Sequence, residues 1–302
     1  MNRAIIFRSF LCAGCTLVLL NCGAASSSQN SPSVIKSLTS EKFVGKKYYL
    51  GYGGQAEGSQ TNEIIYDVKH TSDVFTSLNG GQYIGKTLLD PEATRESVLG
   101  AMTDIKNRAG AEDMYIQYSS GHGFESGSQA GGDMLDYSEI RDQVLGMKVK
   151  EAVVFLMACH SGGLPESFNE RRSDWQKWPE QGRSLFVMSS STIDEMSSSG
   201  PDTDSDESAG ESGSAGSAFG HYLWKSLLGY ADGYVDGVAD GFISLEEIGT
   251  YVTAKTAENF GHTPQITGAY NPYAIMNKAT KKWQQSDNQD SGQGQQDGMQ
   301  DQ

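Results

Sequence analysis

Apolar positions along this chain fall into short blocks that alternate with longer amphipathic stretches. Lys47 to Tyr52, Tyr83 to Leu89, Met114 to Tyr118, Val153 to Met157 and Leu185 to Met188 have the length and composition of strands. Ile64, Val68, Phe75 and Leu78 recur at helical spacing, as do Val98, Met102, Ile105 and Ala109. Phe219, Leu223 and Leu227 mark a further helix, Leu245, Ile248 and Val252 a last one, and a short helix is expected from Ser138. Asp90-Pro91, a capping residue followed by a proline suited to the first helical position, predicts the start of the second helix. Strands alternating with helices predict an α/β fold with a mostly parallel sheet covered on both faces. The run Val153-Val154-Phe155-Leu156, apolar at every position, fits a strand buried on both sides. Ligands of such sheets bind beyond the carboxyl ends of the strands.

The ends of the chain do not share this pattern. Arg3 and Arg8 precede an apolar stretch from Phe10 to Leu20, the length of a signal-peptide core rather than a membrane span. Leu19-Leu20-Asn21-Cys22-Gly23 resembles a bacterial lipobox, which would make Cys22 a lipidated N-terminus. Ordinary cleavage after Gly23-Ala24-Ala25 is the alternative. The expected organisation is a signal segment and lipobox over 1–22, a serine-rich tether over 23–43 and one domain over 44–280. That domain carries a flexible Ser/Gly/Asp/Glu-rich loop over 197–217, and a Gln/Asp-rich disordered tail follows over 281–302. The expected location is the bacterial cell envelope, as a lipoprotein of periplasm or outer membrane, or else secretion.

The net charge of −15 leaves no basic footprint, so a nucleic-acid partner is not expected. Any membrane contact is expected only through the N-terminal lipid. Processing also simplifies the cysteines: Cys12 and Cys15 lie in the signal core, and Cys22 is acylated or removed. Cys159 is then the one remaining thiol, and it lacks a disulfide partner. A free cysteine is often a small buried hydrophobe, but the flanking His160-Ser161-Gly162-Gly163 is not core sequence.

Two segments carry the candidate chemistry. Tyr118-Ser119-Ser120-Gly121-His122-Gly123 delivers an imidazole just past one buried strand. Phe155-Leu156-Met157-Ala158-Cys159-His160 delivers a thiol just past another. A thiol becomes a strong nucleophile when ionised, and a nearby imidazole is a usual means. Adjacent Cys159 and His160 cannot readily chelate one zinc ion, and His160 is expected to be structural. Gly51-Tyr52-Gly53-Gly54 imitates a dinucleotide fingerprint, but no apolar helix follows it. The nucleophile elbow of serine esterases does not occur.

Strand-Ser-Gly-His-Gly followed by strand-Ala-Cys-His-Ser-Gly resembles the caspase-like cysteine peptidases, the clan of caspases, metacaspases and legumains, and most closely the bacterial metacaspase-like proteins. The likeness extends to Glu92-Ala93-Thr94-Arg95, Ser217-Ala218-Phe219 and Thr263-Pro264-Gln265, over roughly residues 44 to 278. It implies a single-domain caspase-like α/β/α sandwich and a cysteine endopeptidase acting on peptide or protein substrates. Cys159 would be the nucleophile and His122 the general base, with the backbone N–H groups of Gly123 and Cys159 as oxyanion hole. No third member and no cofactor is required.

Specificity departs from the family pattern. Metacaspases place aspartate two residues before the nucleophile, legumains glutamate and caspases glutamine; this chain has Met157. Asp194 and Glu195 stand where relatives take further pocket residues, so a basic or Asn P1 residue is expected rather than Asp. If Arg is accepted, self-processing at Arg171, Arg172, Lys177 or Arg183 is expected. Asp236, Asp240, Phe242, Ser244 and Glu247 fit positions 1, 5, 7, 9 and 12 of an EF-hand loop, which makes calcium the candidate ion. Val238 at position 3 cannot ligate through its side chain, and Ser244 with Glu247 equally makes a capping box. The alternative to an enzyme is a catalytically silent caspase-like binding module of the envelope.

Overall fold

The computed structural model of the protein describes residues 45–54, 63–78, 83–198, 200, 216–270 and 274–277. The expected signal segment with Cys22, the tether, the tail and most of the 197–217 loop lie outside the described residues. In chain order the elements are β1 Lys47–Gly54, α1 Glu63–Asp73, β2 Tyr83–Leu89, α2 Arg95–Arg108, β3 Met114–Gly121, β4 Gly123–Phe124, β5 Gly127–Ala130 and β6 Asp133–Asp136. Then come α3 Tyr137–Leu145, β7 Glu151–Met157, α4 Gly163–Glu170, α5 Arg172–Trp175, β8 Ser184–Ser189 and α6 Ala218–Lys225. β9 Phe242–Ser244, α7 Leu245–Phe260, β10 Gln265–Ala269 and β11 Ala274–Asn277 complete the described chain.

Six strands form one sheet in the order β10-β8-β7-β3-β1-β2. All neighbours are parallel except β10, which runs antiparallel to β8. Side chains alternate between faces along each strand, which divides the core in two. Tyr48, Leu50, Val154 and Leu156 face Val98, Met102, Ile140, Val144, Phe168 and Trp175 of α2–α5. Tyr49, Ile116, Val153 and Phe155 face Val68 of α1, Phe219 and Leu223 of α6, and Ile248 and Val252 of α7. Both faces of β3 and β7 are therefore buried, as the continuous apolar run of β7 predicts for that strand. The fold is a single α/β domain.

The second helix does not begin at Asp90-Pro91. Those residues lie in a turn in which the Glu92 and Ala93 N–H groups donate to the Leu89 carbonyl at 2.7 and 3.1 Å. The helix begins at Arg95, where the Thr94 hydroxyl accepts from the Ser97 N–H at 3.2 Å and caps the first turn. Five elements carry no periodic signal. The β4–β6 ribbon mixes Gly, Ser, Gln and Asp with single apolar residues, α4 is short, and β10 is a half-buried edge strand.

Candidate active site

His122 and Cys159 stand at corresponding places on neighbouring strands. Ser120 of β3 is in register with Met157 of β7, and each candidate residue follows two positions later. Adjacent parallel strands lie roughly 4.8 Å apart, so equal offsets bring both residues to one stretch of the sheet's carboxyl edge. Gly123 completes the approach. A Cβ there would collide with the Cys159 carbonyl oxygen and lie 2.6 Å from the Ala158 Cβ, so only glycine allows the His segment this close to the Cys segment. His122 is exposed and Cys159 half-buried, as reacting groups open to a substrate must be.

The backbone around the pair is directional. The Gln129 N–H donates to the His122 carbonyl at 2.8 Å, which makes these two the hydrogen-bonded pair of the β4–β5 ribbon. The next pair, Gly123 and Ser128, is then the non-bonded one, and the Gly123 N–H points away from β5. Among the described residues no acceptor takes the Cys159 N–H. The Cys159 thiol donates to the Ser197 carbonyl at 3.7 Å.

Directly after Cys159 the chain turns back through His160, which has φ 55°, the left-handed region uncommon for a side-chain-bearing residue. Such a conformation costs about 1–3 kcal/mol and persists where surroundings over-determine it. Here the His160 N–H donates to the Glu195 carbonyl at 2.8 Å, and its Nδ1–H donates to the Ile193 carbonyl at 2.8 Å. His160 is structural, as its sequence position predicts.

The specificity candidates are placed as follows. Met157 is buried in the core cluster beneath α1 and α6, with 8% of its surface exposed. Asp194 is exposed in the loop after β8. Glu195 is a clamp: its Oε2 accepts from Thr192 N–H at 3.2 Å and from Thr263 N–H at 3.0 Å. Its Oε1 lies 3.4 Å from His262 Nδ1, and His262 Nε2 lies 2.6 Å from Ser198 Oγ. The segment after α7 thus holds the loop that passes Cys159. Neither Glu195's role nor His262's carries a sequence signal, because the two lie 67 positions apart in the chain.

Asp67 is a third residue that periodicity alone does not single out as functional, although Ile64, Asp67, Val68 and Thr71 place it on the buried stripe of α1. Its Oδ1 accepts from Ser217 N–H at 3.0 Å and its Oδ2 from Ser120 Oγ at 3.2 Å. It therefore ties the start of α6 to the strand that ends at His122. Burial pushes its carboxyl up to about 7, against the pull of these hydrogen bonds. At the opposite end of the sheet, burial pushes Glu151 up to about 8, opposed by the charges of Lys47 and Lys150.

The residues considered for calcium do not converge on a point. Asp236 Oδ1 accepts from Val238 N–H at 2.9 Å, and Asp240 Oδ1 from Phe242 N–H at 2.9 Å, each closing a local turn. Glu247 Oε1 accepts from Gly233 N–H at 2.8 Å, and its Oε2 from the Ser244 N–H and hydroxyl at 2.8 and 2.9 Å. Among the described residues no group of three or more His, Cys, Asp or Glu side chains is arranged to hold a metal ion. Ser244 and Glu247 form the capping box on α7 and Asp236 and Asp240 close local turns, so no step is routed through calcium. Replacing Glu247 by alanine will accordingly lower stability by about 1–3 kcal/mol. The loss will be equal in calcium and in chelator, and thermal denaturation under both conditions checks it.

Of the four basic residues considered for self-processing, Arg183 is held in place. It stacks 3.6 Å over Trp178 and donates to the carbonyls of Val149 and Met147 at 3.0 and 2.8 Å. Arg171 and Arg172 are exposed at the junction of α4 and α5. No helix among the described residues is long and apolar enough to cross a membrane.

A family model described as Caspase domain matches residues 43–282. Among solved structures, the crystal structure of protein GSU0716 from Geobacter sulfurreducens is similar at 14% sequence identity. That match covers 75% of this chain and 94% of that one, with a TM-score of 0.48. A comparison with curated proteins found no match.

Proposed function

This chain belongs to the caspase-domain family, and on that premise we propose that it is a cysteine endopeptidase whose working pair is Cys159 and His122. The observation that carries this reading is the shared register of β3 and β7, with Gly123 packed against the Cys159 carbonyl. His122 takes the proton of the Cys159 thiol, and the sulfur attacks the scissile carbonyl carbon. The tetrahedral oxyanion is held by the N–H groups of Gly123 and Cys159. Collapse breaks the C–N bond as His122 returns the proton to the leaving amine, and water then hydrolyses the thioester.

The preferred P1 residue is basic or Asn. Supporting this, the chain carries a net charge of −15, and the loop after β8, which passes Cys159 at the Ser197 carbonyl, carries Asp194. Asp194 is exposed on the same loop, whereas Glu195 is occupied by backbone donors. A field of that sign raises the local concentration of cationic peptides and repels acidic ones. The N-terminal segment fits export with a lipid on Cys22, which would place the domain on the envelope by a tether.

A peptide library presented to the wild type and to Cys159→Ala tests the reading. Cleavage after Arg, Lys or Asn by the wild type alone is the expected outcome. Cleavage after Asp would overturn the P1 assignment, and no cleavage by either protein, with reductant present, would favour a binding module. Self-cleavage after Arg171 or Arg172 is the corresponding autocatalytic event, read as a mass difference between the same two proteins.

A further inference from the structure

Three serines reach the one carbonyl that shares a peptide unit with the Cys159 N–H, and a fourth stands behind them. Ser190 Oγ donates to the Ala158 carbonyl at 3.0 Å and accepts from the Ala158 N–H at 3.1 Å. Ser197 Oγ reaches the same carbonyl at 2.9 Å and Ser191 Oγ at 3.2 Å. Ser161 Oγ lies behind them, 3.0 Å from Ser190 Oγ and 3.1 Å from Ser191 Oγ. Ser190 Oγ and Ser197 Oγ are 2.6 Å apart. Each hydroxyl has one proton and a carbonyl oxygen two lone pairs, so two serines bond the carbonyl at a time while the others close the circuit.

Ser161, Ser190 and Ser191 are buried, and Ser197 sits on the loop whose own carbonyl receives the Cys159 thiol. Burying hydroxyls is unfavourable unless they are bonded, and these bond chiefly to one another and to a single peptide. Two consequences follow for that peptide. In a trans amide the N–H points opposite to the C=O, so donors gathered on the carbonyl aim the Cys159 N–H away from them. Hydrogen bonds to the carbonyl also polarise the amide and strengthen its N–H as a donor.

We infer that Ser190, Ser191 and Ser197, backed by Ser161, are positioning residues that orient and polarise the Cys159 N–H as an oxyanion donor. This rests on the reading of Cys159 as the nucleophile. Two reagents separate the effect from a general loss of structure. A peptide aldehyde with the preferred P1 residue forms a hemithioacetal, in which the new S–C bond leaves an oxyanion in the hole. Iodoacetamide forms an S–C bond as iodide departs, with no oxyanion at all.

Ser190→Ala and Ser197→Ala are each expected to lower kcat and weaken aldehyde affinity by about tenfold, with KM and the alkylation rate within about twofold of wild type. Ser197→Thr, which keeps the hydroxyl, will recover the lost aldehyde affinity. Equal falls in alkylation and aldehyde binding, or unchanged aldehyde affinity in variants of an active enzyme, would overturn the inference. Ser197 is on a half-exposed loop, so its variants give a result even where Ser190→Ala fails to fold. A wild type that is alkylated at Cys159 yet neither binds aldehyde nor cleaves peptide would instead sink the peptidase reading itself.

Discussion

Replacing Cys159 by alanine will reduce peptide hydrolysis by a factor on the order of 10⁴ to 10⁶ without unfolding the protein. The side chain is half-buried and its one polar contact among the described residues, to the Ser197 carbonyl, is replaceable by water, so little stability depends on the sulfur. Replacing His122 will cost nearly as much, because neither residue works without the other. A thiol deprived of its base is mostly protonated at neutral pH, and the leaving amine has no proton donor. The measurement is the steady-state rate on the best library peptide, together with alkylation of Cys159 across pH. Wild type will be alkylated at Cys159 faster than His122→Ala, since the imidazole takes the thiol proton as the sulfur attacks. Identical alkylation profiles would show that His122 does not act on the thiol. A Cys159→Ala protein that retains activity would end the cysteine-peptidase reading.

The second large effect concerns stability rather than chemistry. Asp67 and Glu151 are held up to about 7 and about 8 by burial, against unfolded carboxyls near the usual carboxylate range. Between those limits the folded chain binds more protons than the unfolded one, so stability falls as pH rises. The contribution is fully present below the unfolded pKa and is lost progressively toward pH 7 for Asp67 and pH 8 for Glu151. Each raised carboxyl accounts for a change on the order of 4 kcal/mol across that window. Asp67→Asn keeps an oxygen for the Ser217 N–H and removes the titration. It will match wild type at about pH 4 and exceed it in melting temperature at pH 8. Glu151→Gln will behave in the same direction, and the double variant will be nearly flat between those pH values. Parallel melting curves for wild type and Asp67→Asn at both pH values would refute the buried-acid account.

The division between legible and illegible parts of this protein follows sequence separation. The strands leading to His122 and Cys159 are readable because a strand buried on both faces is predominantly apolar, as in Val153-Val154-Phe155-Leu156. Short polar elements such as the β4–β6 ribbon are not readable, because their pairing rests on backbone bonds that any residue supplies. The start of α2 expected at Asp90-Pro91 is not the one the structure has: Asp90 to Ala93 are used by a turn, and Thr94 caps the helix instead. Met157 occupies the position that relatives use for specificity, yet it points into the apolar core beneath α1 and α6. Glu195, an expected pocket residue, is instead a clamp between two loops.

The sequence by itself determined the α/β class, the two strand ends that carry an imidazole and a thiol, and that Cys159 is the single cysteine of residues 43–282. Those follow from local rules: side-chain periodicity, burial on both faces, and the chemistry of one residue at a time. Only the tertiary structure decided that β3 and β7 are neighbours in register and that Gly123 abuts Cys159. It alone gathered Ser161, Ser190, Ser191 and Ser197 around one peptide and put Asp67 beneath the loop end. Hydrogen bonds between distant segments are short-ranged and directional, so they exist only once packing has brought their partners together, and no local pattern encodes them.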